Sequence, residues 1–413
     1  MKKVIGILAV VAFAANMASA ELLKNAKYTG SIEVKSVTVN NYPGFDADNL
    51  VNNHSETMPR VMLGVNFDLN DEINAQITAV KCDNQYGNNP NTAGQSIDNV
   101  TAAVMFSEAY MNLKNVFGVN HRIGRQYYGN SGDMVIYFGP SSNLGSSYSV
   151  SALDAWFGEW KKDKWSATAL IGKWQENSVV NMRDKDVYGV TAAYDFSEMM
   201  KPSLYVYQLD DRIASLTAAK TNVAGVKVTG KWQDLGYGAE FAMNSGDNGT
   251  VDYTGTAMKA NVDYTLEAKT AGKFVFTGEF VVGSGDDSTT ADENEGFVAV
   301  NSNYIPGVLF GGVAGNVGVT DLTTFNVGAN WTPEQLNKLT IGAKFFNFAP
   351  TEDNAAFDAY GTELDFCAMW KHSENVALRA SYAMLTPNDD YSTAMSYGTD
   401  SASLLGLDIA VKF

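Results

Sequence analysis

Val61, Leu63, Val65, Phe67 and Leu69 alternate with Arg60, Gly64, Asn66 and Asp68, so every second residue of this stretch is apolar. After Asn70-Asp71 the period resumes, with Ile73, Ala75, Ile77 and Ala79 set against Glu72, Asn74, Gln76 and Thr78. Toward the other end, Leu364, Phe366, Ala368 and Trp370 oppose Glu363, Asp365 and Lys371. Val376, Leu378, Ala380, Tyr382 and Met384 then oppose Arg379 and Ser381. A helix cannot hold that period, because its apolar face recurs about every 3.6 residues. These are strands with one oily and one wet face.

The connections between strands come in two lengths. Eight are short and carry turn chemistry, among them Asn70-Asp71, Lys162-Asp163, Lys269 to Gly272 and Ser373 to Asn375. Others are long and polar: Asn40 to Met58, Asp83 to Asp98, Gly283 to Glu295 and Pro387 to Ser401. Short turns on one side and long loops on the other are the habit of a transmembrane antiparallel β-barrel. With a first strand near Lys27 to Val39 and a last one at the end of the chain, the hairpins give about 18 strands, with about 16 as the alternative. Phe297 to Thr320 is read as part of a long outer loop; a further hairpin hidden there is the other reading.

In lipid every strand edge must be paired, so such a sheet closes on itself. Lys or Arg on the lipid face at mid-depth costs roughly 2–4 kcal/mol, so the charges alternating with the apolar face are expected in the lumen. That places Arg60, Glu108, Arg125, Asp154, Lys344, Glu363, Asp365, Arg379 and Asp408 along the pore. Glu33, Lys35, Lys227, Glu240, Lys259, Asp263 and Glu279 join them. Pairs such as Asp365 with Arg379 can equally serve only to stiffen the wall. Tyr28, Trp160, Trp165, Trp232, Tyr264, Trp331 and Trp370 lie near strand ends and suit a bilayer interface as a girdle.

Both ends of the chain fit export. Met1-Lys-Lys3, an apolar run from Val4 to Ala15 and Ala18-Ser-Ala20 predict a signal peptide over residues 1–20, leaving 21–413 as one barrel domain. The last strand, Ala402 to Phe413, ends on an aromatic residue and resembles the closing strand that barrel-assembly machinery reads. Together these place the protein in the outer membrane of a Gram-negative-type bacterium, against outer-membrane lipid.

A formal charge of −17 argues against nucleic acid as a partner, since phosphate binding needs a basic face. The acid gathers in the long loops, at Asp46, Asp48 and Glu56, at Asp286, Asp287, Asp292, Glu293 and Glu295, and at Asp389, Asp390 and Asp400. Arg183, Lys185, Arg212 and Lys220 are the main basic residues there. Such a rim favours cations over anions within about a Debye length, roughly 8 Å. Cys82 and Cys367 have no metal spacing and are expected as free thiols. His54, His121 and His372 form no ligand pair, and no phosphate loop or nucleophile elbow is present. No enzyme, cofactor or metal is implied.

Glu108-Ala-Tyr-Met-Asn-Leu-Lys114 followed by Gly124-Arg-Gln126, Gly132-Asp133, and Ser151-Ala-Leu-Asp-Ala-Trp156 occur in order along the chain. Tyr360-Gly-Thr-Glu-Leu-Asp365 and Asn375-Val-Ala-Leu-Arg-Ala-Ser-Tyr382 follow near its end. In these motifs the chain resembles the alginate-export family of outer-membrane barrels. The resemblance implies an 18-stranded barrel. It also implies arginines at the constriction, matched here by Arg125 and Arg379 only by motif. After Gly132-Asp133 the chain reads Met134-Val-Ile-Tyr137, without the basic residue often found there, which argues against polyanion export. The leading reading is a porin-like channel passing small hydrophilic solutes by diffusion. The alternatives are a surface structural or adhesive barrel with a plugged lumen, a polysaccharide exporter, and a soluble secreted β-protein. A homotrimer is compatible with such a barrel.

Overall fold

The computed structural model describes residues 24–82, 104–141, 143, 145, 148–176, 184–213, 219–287, 289–353 and 356–413. The signal segment, the Asp83 to Asp98 loop and Arg183 lie outside these residues. Eighteen long strands are present among the described residues. They are β1 (Lys24–Asn40), β2 (His54–Asp68), β3 (Ile73–Cys82), β4 (Met105–Val116), β5 (Val119–Gln126) and β6 (Leu153–Lys162). Next come β7 (Trp165–Gln175), β8 (Lys185–Tyr194), β9 (Lys201–Asp211), β10 (Ala219–Trp232), β11 (Leu235–Asp247) and β12 (Thr256–Ala268). The last six are β13 (Gly272–Gly283), β14 (Leu322–Thr332), β15 (Leu339–Ala349), β16 (Gly361–Lys371), β17 (Val376–Pro387) and β18 (Ala402–Lys412).

Each strand pairs antiparallel with its neighbour in sequence, and β1 pairs with β18 from Ser31 opposite Lys412 to Asn40 opposite Ser403. The sheet is therefore closed, with no free edge to satisfy in lipid. Phe413 completes the seam: its backbone exchanges hydrogen bonds with Gly30, and its ring occupies the space a Cβ on Gly30 would need. Tight turns confirm the hairpin reading at the short-turn end, with left-handed residues such as Phe117, Asp163 and Gln233 in them.

The alternation sorts side chains to two sides. Leu405, Leu407 and Ile409 face out and stay exposed, whereas Ala402 and Leu404, on the other face of the same strand, are buried, as is Gly406 between the exposed residues. The girdle aromatics from Tyr28 to Trp370 are all exposed near the short-turn ends. In water so much exposed apolar surface would drive association; against acyl chains it is the solvated face. At the opposite border of this belt, several strands carry outward hydroxyls that bond across the seams, as Ser36 with Thr57 at 2.5 Å and Thr386 with Ser401 at 2.9 Å.

Inward-folded chain narrows the lumen. The described residues of two segments, 127–152 between β5 and β6 and 296–321 between β13 and β14, turn inward and pack against the inner wall. Phe297 to Thr320 thus belongs to an inward-folded segment rather than an outer loop. It carries one π-helical turn, Gly307–Val313, and no strand among its described residues beyond a single bridge at Asn301. Outside, the loop 41–53 and the loop holding α1 (Asp389–Met395) cover each other through Gly398 N to Gly44 O and Phe45 against Tyr397.

Candidate functional site: a constriction built by two inward segments

Backbone groups buried inside a barrel need partners as surely as those of a strand. The two inward segments find them first in each other. Asn301 N donates to Val135 O at 3.0 Å, Tyr137 N to Asn301 O at 2.8 Å, and Asn303 N to Asp133 O at 2.9 Å. Apolar side chains then fix each segment to its own wall. Phe138 packs edge-on to Trp174, and Phe310 stacks on Phe348 with ring centroids 4.1 Å apart.

Charged wall residues supply the remaining ties. Lys35 Nζ donates to Asn143 O at 2.7 Å, and Arg60 donates to Ser141 O while pairing with Glu33. Both cations lie over the Tyr148 ring, 4.4 Å from its centroid. Lys227 sits 3.3 Å from Asp133 of the inward segment and 3.3 Å from Glu240 of the wall. Lys259 reaches Gly132 O and pairs with Glu279, which also accepts from Tyr304 and Asn326 at 3.0 Å each. Burial and the Glu279 carboxylate hold the Tyr304 phenol far above its ordinary pKa, so it remains a donor. Glu363 accepts from three backbone N–H groups, Val308 at 2.6 Å, Leu309 at 2.8 Å and Phe310 at 2.9 Å.

The pore-lining residues expected from the sequence fall into three groups. Arg60, Glu108, Lys344, Arg379 and Asp408 project inward; Arg379 pairs with Asp408 at 2.9 Å, Glu108 accepts from Thr78, and Lys344 lies over the Phe346 ring. Arg60 is only 4% exposed and ties a segment rather than facing water. Glu363, at 1% exposure, and Asp365, with Oδ1 buried and unpartnered, lie beneath the inward segment instead of lining an open path.

Arg125 and Asp154 differ from expectation most. Gln126, Leu153, Ala155 and Phe157 face the interior, so alternation puts Arg125 and Asp154 on the outer face with Ile123 and Trp160. There they form a two-pronged ion pair at 2.8 and 2.7 Å, with 42% and 56% of the side chains exposed. The reason is the inward segment: it needs an apolar wall, so the inner face of β6 is oily and the polar residues go outward. Lys173 and Asp186 continue this ionic row, each opposite the last across β7 and β8. The row stands where other strands carry outward Ser and Thr, at the border of the apolar belt.

Sequence reasoning missed the tyrosines and asparagines of the interior: Tyr128, Tyr205, Tyr207, Tyr304, Asn244 and Asn326. Tyr205-Val-Tyr207 on one face of a strand was the available signal. Among the described residues, two cavities border the segments. One of about 570 Å³ lies below residues 127–136, toward the short-turn side, against the inner faces of β5–β11. The other, about 280 Å³, lies between the segments and is lined by Gly132, Asn143, Lys259, Glu279 and Tyr304. No group of three or more His, Cys, Asp or Glu with metal-binding geometry occurs among the described residues.

Comparison with known proteins agrees with this architecture. The model of the family described as alginate export matches residues 46–399. None of the curated proteins matches the chain. Among solved structures, Pseudomonas aeruginosa OccK3 (OpdO) superposes with a TM-score of 0.63 at 12% identity, covering 95% of this chain and 97% of that one. OccK11 (OpdR) of the same organism gives 0.62 at 10% identity over 95% and 97%. OpdK, solved with vanillate, gives 0.61 at 10% identity over 94% and 98%.

Proposed function

As the chain belongs to the alginate export family and forms an outer-membrane channel, we propose that it passes small hydrophilic solutes by diffusion rather than polyanionic polysaccharide. The carrying observation is the constriction: two segments meet across the lumen, and Arg60, Lys227, Lys259 and Arg379 are each matched by a carboxylate. A polyanion needs a run of unmatched cations. A bulky chain also needs a wider path than cavities of about 570 and 280 Å³. Vanillate, present with OpdK, is a small carboxylate, and a solute of that size suits these dimensions better than a polymer.

The acidic outer loops support a preference for cations. Asp46, Asp287, Asp389 and Asp390 remain at the surface; Asp46 and Asp287 accept turn hydrogen bonds, and Asp389 and Asp390 lie in the first turn of α1. Reversal potentials across a salt gradient test this: a cation-selective sign is expected, and an anion-selective one removes it. Residues 1–20 act as the export signal in this reading, and the β18 terminus at Phe413 is the feature met by the assembly machinery. Phe413→Ser should lower the amount of barrel assembled in cells; unchanged assembly would remove that role.

A further inference from the structure

The larger cavity has a wall of unusual chemistry. Tyr205 and Tyr207 project inward from β9, and the neighbouring strands carry glycines beneath them. A Cβ on Gly189 would fall 2.4 Å from the Tyr207 ring, and one on Gly225 2.3 Å from the Tyr205 ring. Both rings therefore pack closely on adjacent backbone, 8% and 7% exposed, with their hydroxyls bonded to Glu240 and Tyr128, and the ring surface left open lines the cavity. Tyr128 of the inward segment stands edge-on to this platform, 6.1 Å from Tyr207 and 5.9 Å from Phe157. Aromatic surface thus bounds the cavity on the β6 side, the β9 side and from above.

Around the rings the polar groups are mostly uncharged. Thr168 and Thr191 share a 2.7 Å hydrogen bond on the floor, and Asn130 enters from the segment. Burial pushes the nearby Tyr127 phenol up to about 12, which keeps it a neutral donor. The charged lining consists of three carboxylates, Asp133, Glu159 and Glu240, against two cations, Arg122 and Lys227. Lys227 is held between two of the acids. An organic anion gains nothing from that balance. A pyranose ring fits it: C–H faces lie on aromatic surface, and rim hydroxyls meet carboxylate, amide and hydroxyl groups. The volume also falls within the range of about 300–1,000 Å³ typical of small-ligand sites.

We propose that this vestibule is a subsite for neutral pyranose sugars of one or two rings. The proposal rests on the channel reading above. The test is current recording on the full-length refolded protein in planar bilayers, with maltose and galactose as neutral probes and galacturonate as the charged counterpart of galactose. Maltose and galactose should interrupt the ion current in the millimolar range and galacturonate should not. Tyr207→Leu should weaken the maltose effect by about tenfold. Glu159→Gln, which leaves ring packing alone, should weaken it several-fold and covers the case of a Tyr207 variant that does not fold. Clear channel steps that maltose and galactose leave unaltered would overturn the sugar subsite and leave the channel standing, as would stronger block by galacturonate than by galactose. Silence from folded protein would remove the channel reading and this proposal with it.

Discussion

Removing the Glu363 carboxylate should release the π-helical turn from the wall and widen the pore. The side chain is buried, and its two oxygens take the N–H groups of Val308, Leu309 and Phe310. Each buried N–H left without an acceptor costs about 1–3 kcal/mol. In Glu363→Ala three are orphaned at once, so the docked state loses on the order of 2–6 kcal/mol even if one recovers water. At about 1.4 kcal/mol per decade, that shifts docked against undocked by on the order of thirty-fold to twenty-thousand-fold. Glu363→Gln keeps one acceptor oxygen and turns an amide toward the same N–H groups, so it should lose about 1.5–3 kcal/mol. Stacking of Phe310 on Phe348 opposes release but does not satisfy the backbone. Single-channel conductance and protease protection of residues 297–320 read the effect. Alanine should give larger, flickering currents and faster cleavage, with glutamine intermediate. An alanine variant with wild-type conductance and wild-type protection would refute the latch.

Gly307 sits at φ +75°, and a Cβ there would lie 2.7 Å from Glu363 Oε2, so Gly307→Ala should reproduce the larger currents at a cost of about 1–2 kcal/mol; unchanged protection in the same assay would contradict that. Arg125→Ala should leave the reversal potential unaltered and change stability by at most about 1 kcal/mol, because its ion pair is outward and half exposed. A shifted reversal potential would place Arg125 back in the lumen. Lys227→Met cuts the tie to Asp133 and leaves two carboxylates beside the cavity, so cation selectivity should rise; a fall would contradict the mapped electrostatics. Gly30→Val should clash with the Phe413 ring and with Met62 O at the closing seam, lowering the yield of heat-resistant folded barrel; an undiminished yield would count against that seam.

Much of the barrel was legible because a closed sheet in lipid enforces one rule on every strand. Leu364, Phe366 and Ala368 could only face out together, and turn residues such as Lys162-Asp163 marked where the direction reversed. The rule fails where the solvent on the inner side is no longer water. The described residues of 127–152 and 296–321 bring their own apolar surface indoors, so Leu153 and Ala155 point inward and Asp154 outward. Met134-Val-Ile-Tyr137 is as oily as a strand, and nothing local distinguishes a spanning segment from one that packs inside. Glu363 looked like a pore charge because its partners are backbone N–H groups, which no side-chain pattern displays. The tyrosine platform was invisible for a related reason: it depends on glycines one strand away, brought alongside only by register.

Conductance of the refolded protein in a planar bilayer addresses the main point most directly. A ring of 18 strands with water threading past two inward segments should produce discrete, ohmic current steps. Folded, heat-resistant protein that inserts yet carries no current would show instead that those segments seal the passage.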